Sequence, residues 1–394
     1  MRLGYGITIL LLTVLAALGM LSTNIYLPAM PVIGQALHAD AAGVQLTLTV
    51  YLAAFAAAQL IVGPLSDRYG RRPVLLAGLV LFIAGTAACL LAAGIATMIG
   101  GRMLQALGAC AASVVGRAMA RDLFEGAALG KALGLIMTGV AVAPGFGPLL
   151  GGVLQEAFGW RSAFAFVALV GAAVLAAVLA GISETRPAAT VRPTAATIAG
   201  GYGLLLSTGA FLIPALATTA AIGALFAFFA ASPAVFIEAF GLSPIGYGLV
   251  SAGTVFGVFA GGYAAPRLMR RAGAMPSIRI GLILVLGGAA LLWLADRNGG
   301  DLAGAILALL VFLFGMGIVN PLAVAAALQP FPQRAGAASA LIGALQMAGA
   351  AAGAALVSLL PLPAIEAMPA AMFAAALLGL IGAIRQPAAA AQTA

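Results

Sequence analysis

The stretch Gly63-Pro64-Leu65-Ser66-Asp67-Arg68-Tyr69-Gly70-Arg71-Arg72-Pro73-Val74-Leu75 separates two long apolar runs, and its reading decides the fold. Only 7% of the chain is charged, yet four charges fall within six positions here. Between apolar runs, such a stretch predicts a tight cytoplasmic turn joining two membrane-spanning helices. Gly70 permits a left-handed backbone at the turn, and Pro73 suits the first position of the next helix. The charges oppose the helix dipoles: Asp67 falls at a C-terminus, Arg71 and Arg72 at an N-terminus. Each costs a few tenths of a kcal/mol unless it is partnered, so the stretch predicts contacts to other helices. A loop that only sets topology would need the arginines, but neither Asp67 nor the glycine spacing.

The rest of the chain agrees with a membrane setting. A hydrophobic content of 64% and a mean hydropathy of +1.17 exclude an ordinary soluble domain. The 52 glycines suit spanning helices that pack closely. A pI of about 10.2 would fit a nucleic-acid binder, but the basic residues are scattered between apolar spans. The expected surroundings are therefore a lipid bilayer, with no nucleic acid. Cys89 and Cys110 fall inside spans and read as small buried hydrophobes, with neither a disulfide nor a metal. The first apolar stretch is too long for a signal-peptide core and lacks a small-residue cleavage site, so it reads as a span.

Apolar stretches predict twelve spans, near 6–27, 43–65, 73–93, 97–118, 131–153, 162–182, 209–231, 246–265, 277–295, 302–324, 335–357 and 366–384. With both termini cytoplasmic, Arg161 and Arg297 are the basic residues on the outer side, and Arg102 lies within a span. That distribution follows the positive-inside rule. The expected organisation is a six-helix bundle over 1–182, a cytoplasmic linker over 183–208 and a second bundle over 209–394. Part of the linker is expected to lie as a helix on the membrane surface, and the Ala-rich tail after Gln386 to be disordered. A shift of 199 residues places Gly262-x3-Pro266-x2-Met269-Arg270-Arg271 on Gly63-x3-Asp67-x2-Gly70-Arg71-Arg72. The second copy keeps the leading Gly and the paired Arg but loses the acid and the turn Gly.

Gly63-x3-Asp67-x2-Gly70-Arg71-Arg72-x-Val74-Leu75 resembles the signature loop of the major facilitator superfamily. The resemblance implies an all-α membrane protein with the major facilitator fold, 12 transmembrane helices in two six-helix bundles around a midplane site. It assigns a gating role to Gly63, Asp67, Arg68, Gly70, Arg71 and Arg72. The expected gate has Asp67 near Arg334 at the start of span 11, and Arg68 or Arg71 paired with Asp122. Arg102-Met-Leu-Gln105-Ala-Leu-Gly108 resembles the superfamily's span-4 motif, with Ala106 where Gly is usual. A cation there either lines a functional cavity or snorkels to the outer interface. Gly139-x7-Gly147-Pro148-Leu-Leu-Gly151-Gly152 resembles the antiporter motif of exporters, whose proline kinks the helix and whose glycines admit a close neighbour.

The end of span 1, through Asn24, Tyr26, Pro28 and Pro31, resembles Bcr/CflA-like transporters, a branch of the drug:proton antiporters with twelve spans. In that branch an Asp stands where this chain has Asn24. An amide cannot carry a proton, and no other carboxylate maps well inside a span. Arg102 would then leave the interior positive and favour neutral, zwitterionic or anionic substrates over lipophilic cations. Further cavity candidates are Tyr26, Tyr51, Gln105, Met137, Phe226, Phe229, Asn320 and Gln346. Aromatics and Met137 at helical spacing are more often lipid-facing or packing residues.

No Walker A, HExxH, Cys-x2-Cys or Gly-x-Ser-x-Gly pattern occurs, so no enzyme and no cofactor are expected. The implied function is secondary export of small amphipathic compounds, including antibiotics, across a bacterial inner membrane, with protons as counter-ion and a monomer as the working unit. The alternatives are a metabolite exporter or facilitator for a sugar, amino acid or nucleoside, or a transport-dead sensor.

Overall fold

The computed structural model describes the backbone of residues 4–186, 195–297 and 301–384, and every regular element among them is helical. In chain order these are α1 (Tyr5–Asn24), α2 (Met30–Ala36), α3 (Ala41–Tyr69), α4 (Arg71–Leu90), α5 (Ile95–Leu123), α6 (Gly126–Phe158) and α7 (Arg161–Gly181). There follow α8 (Ala195–Ser207), α9 (Gly209–Pro233), α10 (Pro244–Ala272), α11 (Ala274–Arg297), α12 (Leu302–Leu328), α13 (Ala335–Leu359) and α14 (Ala364–Ile384). Twelve helical stretches among the described residues are long and apolar enough to cross a membrane. Hydrocarbon leaves no water for a backbone amide, so continuous helices answer the composition. Most of the helices run past the expected limits, because apolarity ends before the hydrogen-bonded turns do, while α4 and α7 stop at Leu90 and Gly181, just short of them. The fifth span covers Gly126–Phe158 instead of 131–153, and the first continues through a 3-10 turn at Leu27–Ala29 into α2. The helix α8 falls in the expected linker and is too short to span. The tail expected to be disordered lies outside the described residues.

The chain forms two compact units, residues 1–195 with 242–252 and residues 196–241 with 253–394. In the first, α5 packs against α1, α3 and α4, while α6 lies along α1 and α7 along α4. In the second, α9 packs against α12, α13 and α14, and α11 against α12 and α14.

The α3–α4 turn is a single residue, Gly70, with φ +106°, a backbone that only glycine adopts without strain. The expectation for Pro73 shifts slightly: α4 begins at Arg71, so Pro73 is its third residue. The repeated loop differs more. The turn between α10 and α11 is Gly273 (φ +83°), one helical turn beyond Met269, the position matched to Gly70. The second copy therefore retains a turn glycine, displaced by a longer α10. Arg270 and Arg271 consequently sit in the last turn of α10, where the macrodipole favours cations.

The antiporter-like stretch brings α6 against the end of α1. Pro144 and Pro148 both lie inside a continuous α6. A Cβ on Gly147 would lie 3.0 Å from Cβ of Asn24, and one on Gly151 would collide with the carbonyl oxygen of Ile25. Gly139 faces Thr13, and Gly152 faces the carbonyl of Pro244. Gly134 on the same helix faces open space. Gly151→Ala is therefore expected to destabilise the purified protein by about 1–3 kcal/mol through overpacking. Gly134→Ala should stay within about 0.5 kcal/mol of the wild type, both read from denaturation midpoints in detergent.

Candidate functional site

The charges of the opening stretch all find partners within the first unit. Arg71 bonds through Nη1 to the carboxylate of Asp67 and to Ser66 Oγ at 2.7 Å, and through Nε to Asp122 Oδ2 at 3.0 Å. The expected Arg71–Asp122 pair is thus present, and Asp67 is engaged by Arg71. Arg68 lies over the ring of Tyr69, and a Cβ on Gly63 would meet nothing within 4 Å. Arg72 reaches the carbonyls of Ile182 at 2.8 Å and Leu179 at 3.3 Å, closing the end of α7.

Two residues that sequence reading did not single out resolve the dipole conflict. Glu184 accepts from the backbone N–H of Arg71 at 2.8 Å and of Arg72 at 3.1 Å, a carboxylate capping the N-terminus of α4. Arg186 Nη1 donates to the carbonyls of Asp67 at 3.2 Å and Arg68 at 2.9 Å, a cation on the C-terminus of α3. Thr185, between them, bonds Asp122 Oδ2 at 3.3 Å. The opposite signs two positions apart, just past span 6, were the available signal. Gly70 is needed here twice, since a Cβ would also fall 2.5 Å from Glu184 Oε2.

Deeper in the same unit, Arg102 on α5 is completely buried. Its guanidinium lies between the rings of Tyr26, 4.4 Å away, and Tyr51, 4.2 Å away. Nη1 donates to the carbonyl of Ser22 at 3.0 Å and to Gln105 Oε1, while Gln105 Nε2 donates to Thr86 Oγ1 at 2.9 Å. The Tyr51 hydroxyl bonds Ser22 Oγ at 3.0 Å and the carbonyl of Gly19, and that of Tyr26 bonds Thr47 Oγ1 at 3.3 Å. The structure therefore gathers Tyr26, Tyr51, Arg102 and Gln105 and excludes snorkelling. Both ion pairs among the described residues belong to Arg71, so this buried cation has no carboxylate, and its Nε and Nη2 have no partner.

Asn24 is not joined to that cluster. Its Nδ2 donates to the carbonyl of Met20 at 2.7 Å and to Thr23 Oγ1, leaving Oδ1 buried without a partner. Met137 is exposed on α6 and belongs to neither cluster. In the second unit, Phe226 and Phe229 are buried edge-to-face at 5.4 Å, in an aromatic group with Phe228. Asn320 and Gln346 meet there at 3.0 Å, joined by Thr218, a residue the sequence did not point out.

A family model described as Major Facilitator Superfamily matches residues 12–354. The chain belongs to this superfamily. Among curated relatives of this facilitator-family transporter, Multidrug resistance protein D of Escherichia coli (strain K12) is 30% identical over 90% of this chain and 89% of its own. A chloramphenicol resistance protein of Pseudomonas aeruginosa is 31% identical over 86% of this chain and 81% of its own. Among solved structures, a bacterial homolog of the human lysosomal transporter Spinster superposes with a TM-score of 0.76 at 15% identity, covering 96% of this chain and 95% of that one. The chain is a multi-pass transporter of a bacterial inner membrane, not an enzyme.

Glu184 gives this facilitator-family transporter a titratable clasp on its α3–α4 loop. Partial burial pushes the carboxyl pKa up, but the backbone N–H groups of Arg186, Arg71, Arg72 and Thr185 outweigh it and hold the value below the ordinary range. A depressed folded pKa means the stabilisation is complete above the unfolded value, about 4.3, and disappears as pH falls through the folded one. Glu184→Gln should therefore lower the melting temperature at pH 6, and the gap to wild type should close in strong acid.

Proposed function

We propose that this transporter exports small amphipathic compounds, antibiotics among them, by alternating access, with protons moving inward in exchange. It works as a monomer with both termini cytoplasmic. The observation that carries the reading is the buried Arg102, held between two tyrosines with no carboxylate opposite. Removing such a cation from water costs several kcal/mol, and intramembrane charges of this kind are functional by default. The multidrug and chloramphenicol resistance relatives support export of drugs. The loop of Asp67, Arg71 and Asp122, clasped by Glu184, supports the gating role, since its ion pairs lie at the cytoplasmic ends of α3, α4 and α5.

A positive interior favours neutral, zwitterionic or anionic compounds. Chloramphenicol, which is neutral, is expected to be expelled by inverted vesicles holding the transporter, and ethidium, a permanent cation, to be moved poorly. Selective ethidium efflux would overturn the charge argument. Arg102→Lys should abolish transport while leaving membrane insertion intact. An ammonium lacks the planar face that stacks between both rings.

A second reading, an uncoupled metabolite facilitator, is favoured by Asn24 standing where an acid would carry the proton. Substrate-induced proton movement in proteoliposomes separates the two. Proton flux in the wild type supports antiport through a group other than Asn24. Substrate movement without proton flux, with flux gained in Asn24→Asp, establishes the facilitator.

A further inference from the structure

In the second unit, Thr218 on α9, Asn320 on α12 and Gln346 on α13 form a closed triangle. Thr218 Oγ1 donates to Asn320 Oδ1 at 2.8 Å. Gln346 Nε2 donates both to Thr218 Oγ1 at 2.9 Å and to Asn320 Oδ1 at 3.0 Å. A hydroxyl and two amides on three apolar helices are a large concession in hydrocarbon, where each unpaired polar group is costly. Glue alone would use up the polar atoms. Here it does not: Asn320 Nδ2 and Gln346 Oε1 take no part in the triangle.

Thr218 is sealed, whereas Asn320 and Gln346 are each partly exposed. Their outer atoms are also absent from the sealed, unpaired class to which Asn24 Oδ1 belongs. The triangle therefore leaves the Asn320 amide nitrogen as donor and the Gln346 carbonyl oxygen as acceptor for a further partner. Exchanging N and O in both amides together preserves all three bonds and still leaves one donor and one acceptor. Exchanging them in one amide alone sets like against like.

We infer that this triangle is a carboxamide-reading site: Gln346 accepts the N–H of a neutral substrate amide and Asn320 donates to its carbonyl, with Thr218 as the positioning residue that fixes both. The inference rests on the transport reading and adds the substrate class. A carboxylate would set its oxygens against the Gln346 carbonyl. An ammonium would leave the Asn320 donor idle. An ester differs from the amide by one N–H, whose loss leaves Gln346 Oε1 without its partner in the complex.

The test uses the full-length protein in detergent, with N-benzylacetamide and its ester counterpart benzyl acetate as probes and calorimetric titration as readout. The wild type is expected to bind the amide roughly tenfold tighter, the size of one net hydrogen bond. Gln346→Met, of similar volume, should bring the ratio near one with ester affinity unchanged. Thr218→Val should shrink the ratio and Thr218→Ser restore it, which a purely structural triangle would not do. Equal binding of the probes by the wild type, binding of neither, or a ratio that survives Gln346→Met and Thr218→Val would overturn the inference. Export measured in proteoliposomes is separate. Lost export with intact amide preference sinks the transport reading alone, and intact export without the preference sinks this one alone.

Discussion

The constraint on which the first unit depends is a guanidinium sealed in a membrane protein's interior without a counter-ion. Several kcal/mol of desolvation must be offset locally, and neutral groups do it. Two tyrosine faces contribute about 2 kcal/mol or more each when desolvated, and two hydrogen bonds to a charged donor about 1.5–3 kcal/mol each. These contributions are of the same order as the cost, so Arg102 is tolerated, but only while α1, α3 and α5 hold Ser22, Tyr26, Tyr51 and Gln105 in register. The close approach of α6 to α1 at Gly147 and Gly151 serves the same end, because it fixes the segment carrying the Ser22 carbonyl and Tyr26. The cluster is accordingly a packing centre of the first unit.

At the α3–α4 turn, the same economy appears in reverse. The residues of the α3–α4 turn carry charges that their own helices disfavour, and the chain supplies the missing signs from beyond α7. Glu184 caps α4 and Arg186 caps α3, so two dipoles that a lone loop would antagonise are satisfied together. The pairing ties the end of α7 to the α3–α4 turn. A loop built this way is held by few, separable, charge-assisted bonds, the kind of contact that can be exchanged without disturbing a core. The second turn has no such arrangement. Arg270 and Arg271 already sit where the α10 dipole favours them, and no ion pair of theirs occurs among the described residues.

Elements governed by local physics were legible in the sequence. Twelve apolar runs had to be helices, Gly70 had to turn, and a charge inside span 4 had to be held by something. Tyr26, Tyr51 and Gln105 were legible only as cavity candidates, and their gathering around Arg102 came from the structure. What could not be read were pairings set by tertiary closure. Glu184 lies 113 residues from Arg71, and nothing local marks it as a cap for a distant helix. Thr218 looked like one more small residue in an apolar run until α12 and α13 brought two amides to it. The repeat misled for a related reason: matching residues one to one hid an extra helical turn, so Gly273 escaped notice.

The two units thus use polar atoms in chemically different ways, and the difference bears on how broad a substrate range the chain can have. A charge screened by tyrosine faces discriminates by sign and little by shape, since Coulomb attraction is weakly directional. A donor and acceptor locked by a three-way network discriminate by hydrogen-bond pattern, since an analogue missing one group strands its partner. On the proposed reading, the first unit would sort substrates by charge and the second by hydrogen-bond pattern. Substitutions around Arg102 should widen or narrow the tolerated charge, and substitutions around Thr218 the tolerated functional group.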